Sequence, residues 1–158
     1  MINSKHYYKH NFNNNMHDFS WLKSFNKQQV RPSRFILIWR ISHNRVPIDC
    51  ILQLFGIQLC SRCCMCNQHR EDADHLFLTC ATAFALWNYI YDIFYLRWTG
   101  LDSIHQHLQR CTAMDASPQI DHLFIAAMAE LLHIIWFERN VIIHSNNTFN
   151  LHAAQIKI

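Results

Sequence analysis

The sequence predicts a mainly helical protein, and three observations carry that expectation. The 158 residues include only two glycines and three prolines, whereas antiparallel sheet proteins place both types freely in turns. Apolar residues recur at steps of three and four along most of the chain. No stretch alternates apolar and polar residues as a half-buried strand does, and no internal repeat is visible. Apolar residues make up 51% and charged residues 16%, enough for one core and too apolar for a disordered chain.

Residues 1–18 are polar, rich in Asn and His, and lack apolar periodicity, so they read as a flexible tail. "FSWLKSF" (Phe19 to Phe25) is short and amphipathic, a helical turn able to dock on a domain. After Pro32, Ser33 is placed to cap a helix whose apolar face holds Phe35, Ile38, Trp39, Ile41 and Ser42. Pro47 opens a second helix, "PIDCILQLFG", which Gly56 ends. A cysteine-rich loop follows. Phe84, Trp87, Ile90, Tyr91 and Phe94 then form one stripe of a helix running to Gly100. "LDSIHQHLQRC" is a shorter helix. Pro118 precedes a long final helix with Leu123, Ala127, Leu131, Ile134, Ile135 and Ile142 in register, and "SNN" (Ser145 to Asn147) stops it.

The most apolar segment, His75 to Trp98, contains Asn88 and Asp92. An Asp near a bilayer centre costs about 2.5–3.5 kcal/mol, so this segment reads as a buried helix and no membrane partner is expected. The opening "MINSKHYYKHNFNNN" has no apolar signal core. An intracellular, reducing compartment, cytoplasm or nucleus, is expected, where clustered Cys and His read as metal ligands before disulfides.

The seven cysteines cluster. "LCSRCCMCNQH" (Leu59 to His69) holds four of them, and two Cys-x-x-Cys pairs can be drawn, Cys60 with Cys63 or Cys63 with Cys66. Downstream, "HLFLTC" supplies His75 and Cys80, which a helical turn would bring near one face. Zinc takes four such ligands in a tetrahedron. The second knuckle cysteine is commonly followed by a left-handed residue, and Asn67 after Cys66 tolerates that shape better than Cys64 after Cys63. Cys63, Cys66, His75 and Cys80 are therefore the expected ligands, with Cys60/Cys63 the alternative knuckle. Cys60 and Cys64 are then spare thiols, packed or able to substitute, and His69 is expected in solvent. Four protein ligands leave no position for water, so one structural Zn2+ is expected. The fold class becomes a small helical domain stapled by one structural zinc knuckle, with a long C-terminal helix.

"CCMCNQHREDADHLFLTCATAFALW" resembles the zinc-binding domain of plant LINE-type (non-LTR) retroelement reverse transcriptases. The order of Cys63, Cys66, Glu71, Asp74, His75, Leu76, Phe77, Cys80 and Trp87 is similar to that family's. So is the lead-in with Pro32, Phe35, Trp39, Arg40, His43, Arg45, Pro47 and Gly56. Trp136, Arg139 and Asn140 resemble a Trp-x-x-Arg-Asn segment that trails this domain. The chain departs from the family at Cys64, and at Asn67, where Gly is frequent. The resemblance implies a detached, retrotransposon-derived zinc-binding module over residues 19–98, with a helical extension over 99–145 and a tail over 146–158. It implies work beside a reverse transcriptase, on RNA or DNA.

Charge permits a nucleic-acid partner, although taken by itself it reads first as an ordinary solvated surface. Residues 1–62 carry nine Lys/Arg against two acids, and residues 63–158 carry five against nine. Arg31, Arg34, Arg40 and Arg45 are the candidate phosphate contacts. Trp39, Trp87 and Trp136 are expected in the core before any role in base stacking. Glu71, Asp72 and Asp74 are expected as surface charge, with orientation of His75 by one carboxylate as the sharper alternative. No paired metal carboxylates, glycine-rich phosphate loop or nucleophile–base pair is evident. Cys111 near His105 and His107 comes closest and has a packing explanation; Glu138 and Arg139 lack a partner. The "NNT" glycosylation pattern at Asn146 is discounted without a secretory signal. A non-enzyme without a small-molecule substrate is expected. The alternatives are a zinc-stapled interaction module that pairs with a reverse transcriptase or with itself, and a retroelement relic.

Overall fold

A computed structural model describes residues 20–25, 30–98, 103–114, 116–145 and 148–158, and among these there is no strand. The expected N-terminal tail, the Gly100 stop and Asn146 lie outside the described residues. A short 3-10 turn (Ser20–Ser24) precedes six helices: α1 (Pro32–Ser42), α2 (Asp49–Leu54), α3 (Ala81–Ile93), α4 (Ile104–Cys111), α5 (Pro118–Ser145) and α6 (Leu151–Lys157). A π-helical turn (His75–Thr79) leads directly into α3. The long α5 packs against α1, α3, α6 and the π turn, so it is the spine of the fold.

Local chemistry explains the helix ends, with some corrections to the sequence reading. Pro32, not Ser33, begins α1, and Arg31 takes the extended conformation before it. Pro47 lies before α2, which starts at Asp49 after the extended Ile48. Three helices end in a residue at positive φ: Asn44 (51°), Gly56 (84°) and Tyr95 (53°). In each, the following amide bonds back to the helix: Arg45 to the Arg40 carbonyl, Ile57 to Leu52 and Leu96 to Tyr91. The third helix therefore stops at Ile93, short of Gly100. α4 carries a full capping box between Ser103 and Gln106.

The core is one continuous cluster. Trp87, fully buried, donates its indole N–H to the Phe77 carbonyl at 2.7 Å, tying α3 to the π turn. Trp39 and Trp136 are half-buried against the same core, as expected. The stripe on α5 is displaced only in its first half: Leu131, Ile134 and Ile135 are buried as expected, whereas Leu123 is 64% exposed and Phe124, Met128 and Leu132 turn inward. This α5 is also the one described helix long and apolar enough to cross a membrane. A core helix meets the same test, and the inward face of α5 is covered by its neighbours.

His107 is 1% exposed, and its Nδ1 has no hydrogen-bond partner. Burial pushes its pKa down to about 4. Cys111 sits beside it against the Tyr91 hydroxyl (3.3 Å), and burial pushes that thiol up to about 11, which fits packing and not catalysis.

Two predictions follow from this packing. Trp87→Ala should cost about 3–5 kcal/mol in denaturant unfolding, through the cavity and the lost hydrogen bond. Because the folded state resists protonating His107, stability should be full above about pH 6.5 and fall as pH drops toward 4. The difference between wild type and His107→Gln across that window should amount to roughly 2–3 kcal/mol; parallel curves would refute the assignment.

Candidate metal centre

The centre is built from a loop and a turn. In the loop, the Cys63 amide donates to the His69 carbonyl (2.8 Å), and the Asn67 amide donates back to the Cys63 carbonyl (2.8 Å). Asn67 has φ 57°, the left-handed conformation expected after the second knuckle cysteine. The loop so closed turns Cys63 and Cys66 toward the π turn.

His75 and Cys80 are five residues apart. An α-helix advances about 100° per residue and would set them about 140° apart around its axis. The π turn removes that mismatch. The Cys80 amide bonds to the His75 carbonyl at 2.7 Å, and the wider turn brings both side chains to one side. Cys80 then becomes the N-cap of α3.

The four ligand atoms all lie within 4.8 Å of one another. Cys63 Sγ and Cys80 Sγ are 3.8 Å apart, and Cys66 Sγ is 3.3 Å from His75 Nε2. Zinc–sulfur bonds of about 2.3 Å and zinc–nitrogen bonds of about 2.0–2.1 Å give tetrahedral edges of about 3.5–3.8 Å, so the donor set fits one such ion. All seven cysteines are free thiols. Cys63, His75 and Cys80 are buried and Cys66 is half-buried.

Within the Cys63–Cys80 pair the first proton leaves from Cys80. The Cys63 thiol donates to Cys80, and the Thr82 and Ala83 amides at the start of α3 also face the Cys80 sulfur; together they outweigh burial and bring Cys80 down to about 5. Cys63, as donor in that hydrogen bond and buried, is pushed up. A bound metal cation would take the place of the proton the two sulfurs share.

The structure separates the alternatives left open by the sequence. Cys60 is exposed and outside the cluster. Cys64 turns away, its Sγ 3.7 Å from the Arg139 carbonyl, and burial pushes it up to about 11. His69 is exposed, as expected, with its ring 5.0 Å from that of His75.

The acidic run is not plain surface charge. His75 turns Nε2 to the sulfurs, and its Nδ1 is 3.4 Å from the Thr79 hydroxyl, not near a carboxylate. Asp72 instead accepts the His75 amide (2.8 Å), and Asp74 accepts the Ile104 amide at the start of α4 (2.8 Å). Glu71, 1% exposed, pairs with Arg139 of α5, which is 6% exposed. Sequence reading missed Thr79 and the Glu71–Arg139 pair. The first was signalled by its position four residues after His75. The second was signalled by a lone cation on the apolar face of "IIWFERNVII".

Among the candidate phosphate contacts, Arg34 is held by Glu130 at 3.1 Å and is part-buried. Arg31, Arg40 and Arg45 are exposed, and the Arg45 guanidinium lies over the Trp39 ring at 5.2 Å.

Metal content measured after chelation and reloading should fall to background in Cys66→Ser and stay at the wild-type level in Cys60→Ser. The reverse result would exchange the knuckle assignment.

Neither a curated protein nor a solved structure matches the chain. A family model described as zinc-binding in reverse transcriptase matches residues 3–87, a stretch that contains all four clustered ligands. That match covers more than half of the sequence, and the chain belongs to this zinc-binding family of reverse transcriptases.

Proposed function

We propose that this chain is a non-catalytic module, derived from the reverse transcriptase of a plant LINE-type retroelement, that holds one structural zinc ion and binds nucleic acid. Three sulfurs and one imidazole suit zinc and disfavour hard cations, which prefer oxygen. Four protein ligands complete a tetrahedron and leave no open position for a reacting water. The ion then keeps the loop at residues 63–69 against the start of α3.

The observation that carries the nucleic-acid reading is the arginine distribution around α1. Arg31 stands at its start, and Arg40 and Arg45 stand at its end. The Arg45 amide bonds to the Arg40 carbonyl (2.8 Å), so both side chains leave adjoining backbone. Beside them the Trp39 and His43 rings stack at 4.4 Å. Guanidinium groups next to aromatic faces suit a single strand, through phosphate pairing and base stacking. Arg34 contributes less, because Glu130 already neutralises it.

The test is a titration of zinc-loaded protein with single-stranded RNA across a salt series. Three phosphate contacts give a slope of log K against log salt of about −2. Arg40→Ala with Arg45→Ala should flatten that slope by about 1.4. A folded, zinc-loaded chain that does not bind at low salt would refute the reading. It would favour the second one, an interaction module, which the half-exposed Leu54, Phe55 and Ile57 at the end of α2 support. Sedimentation of the free chain would then reveal self-association.

A further inference from the structure

We infer that Glu71 and Arg139 are positioning residues of the metal centre, and that the metal-binding unit therefore extends to the far half of α5. The inference rests on reading Cys63, Cys66, His75 and Cys80 as a zinc site.

Eight residues separate Cys66 from His75, and residues 67–72 of that link have no regular secondary structure. A metal site is only as well formed as its least-held ligand, so this link must be fixed by other means. Glu71 fixes it through both backbone and side chain. Its amide donates to Ser61 Oγ (3.0 Å), on the chain entering the knuckle. Its Oε1 accepts the Asp49 amide at the start of α2 (3.2 Å) and Arg139 Nη2 (2.6 Å). Its Oε2 accepts Arg139 Nε (3.3 Å). The next residue, Asp72, holds the amide of the ligand His75.

Arg139 makes two further contacts, one to the start of α2 and one to the knuckle. Its Nη2 lies 3.4 Å from Asp49 Oδ1, and its carbonyl accepts the Cys64 thiol (3.7 Å), between the two knuckle ligands. One residue of α5 thus touches the knuckle side and the His75 side of the link. Arg139 lies outside the stretch at residues 3–87 that the family model matches.

The charges make this arrangement specific. Glu71 and Arg139 are both nearly inaccessible to water, and a buried charge that loses its partner is strongly disfavoured. The last turns of α5 cannot shift without leaving the Glu71 charge unpaired, and the link cannot loosen without leaving Arg139 with Asp49 as its one charged partner. Zinc binding and the docking of this part of α5 then reinforce each other, and the coupling is reciprocal.

The test uses the full chain and three variants: Glu71→Gln, Arg139→Met, and the pair Glu71→Leu with Arg139→Met. Zinc affinity is read by competition with a chromophoric chelator, ligand geometry by the absorption of bound Co2+, and helix docking by amide exchange over residues 130–145. Each single variant should bind zinc about 10–100-fold more weakly, with the tetrahedral Co2+ spectrum retained. The paired variant should regain stability without regaining affinity, because both members of the buried pair are removed together, only the part-exposed Asp49 loses a cation, and the link is still unfixed. In the wild type, chelation should raise exchange near Arg139; in the variants that response should disappear. Wild-type affinity in Glu71→Gln or in the paired variant would overturn the inference. So would exchange in wild-type α5 that ignores the metal, or unfolding of every variant at saturating zinc, which would mark the pair as ordinary core stability. A wild-type chain that takes up no zinc would overturn the zinc reading itself, and this inference with it.

Discussion

A separation of five residues between His75 and Cys80 is the constraint on which the rest of the architecture turns. An α-helix would point the two side chains apart, and an extended strand would point them to opposite faces. The π turn accepts both by placing one more residue in the turn. Such turns have poorer internal packing and need support from outside. Here Leu76, Phe77 and Leu78 between the two ligands are buried, and Trp87 donates to the Phe77 carbonyl. The residues that set the ligand geometry are therefore also the residues that fill the core. A substitution at Leu76 or Phe77 would be felt at the metal centre, and loss of a ligand would be felt in the core.

That sharing matters because the energies are comparable. A domain of this size is held by about 5–15 kcal/mol in total. Structural zinc in a thiolate and imidazole site contributes about 10–16 kcal/mol in small zinc peptides. Under the proposed reading, the metal is a major term of the folding equilibrium and not an addition to a finished fold. The loop at residues 57–71 illustrates the need. It contains no regular helix, and its turn at Cys63 to Asn67 is closed by two backbone hydrogen bonds. Those bonds shape the loop, and the four ligands together with Glu71 anchor it to the helices.

Much of this was legible in the residues. Threefold and fourfold apolar spacing foretold the helices, because burial of one face is what gives a helix most of its stability. The clustering of Cys63, Cys66, His75 and Cys80 was legible because cysteine and histidine at these spacings have few other uses, and Asn67 takes the positive φ expected after Cys66. Other features had no local signal. Nothing in "HLFLTC" distinguishes a π turn from an α turn. The stripe on α5 was displaced in its first half because nearly every residue from Leu123 to Ile135 is apolar, so periodicity alone does not choose a face. Tyr95 ends α3 in a conformation that a bulky residue seldom takes, and there the chain overrides local preference. For the Glu71–Arg139 pair, a lone cation on an apolar face could mark Arg139, but its partner lies 68 positions away and no local pattern names it.

The acids also explain why the uneven charge of the sequence survives folding. Among the described residues, most carboxylates of the acidic half have internal partners. Glu71 takes Arg139, Glu130 takes Arg34, and Glu138 takes Lys157. Asp72 and Asp74 receive backbone amides at the starts of helical segments, where negative charge is favoured by the unsatisfied N–H groups. These charges are directed inward or toward their own neighbours. Arg31, Arg40 and Arg45 are directed outward around α1. A polyanion approaching that surface would meet exposed guanidinium groups at Arg31, Arg40 and Arg45, whereas Arg34 is already held by Glu130. The arithmetic of the sequence, basic first and acidic later, thus becomes a spatial division. Carboxylates of the later half mostly secure the helices and the metal loop, and Arg31, Arg40 and Arg45 of the earlier half are exposed.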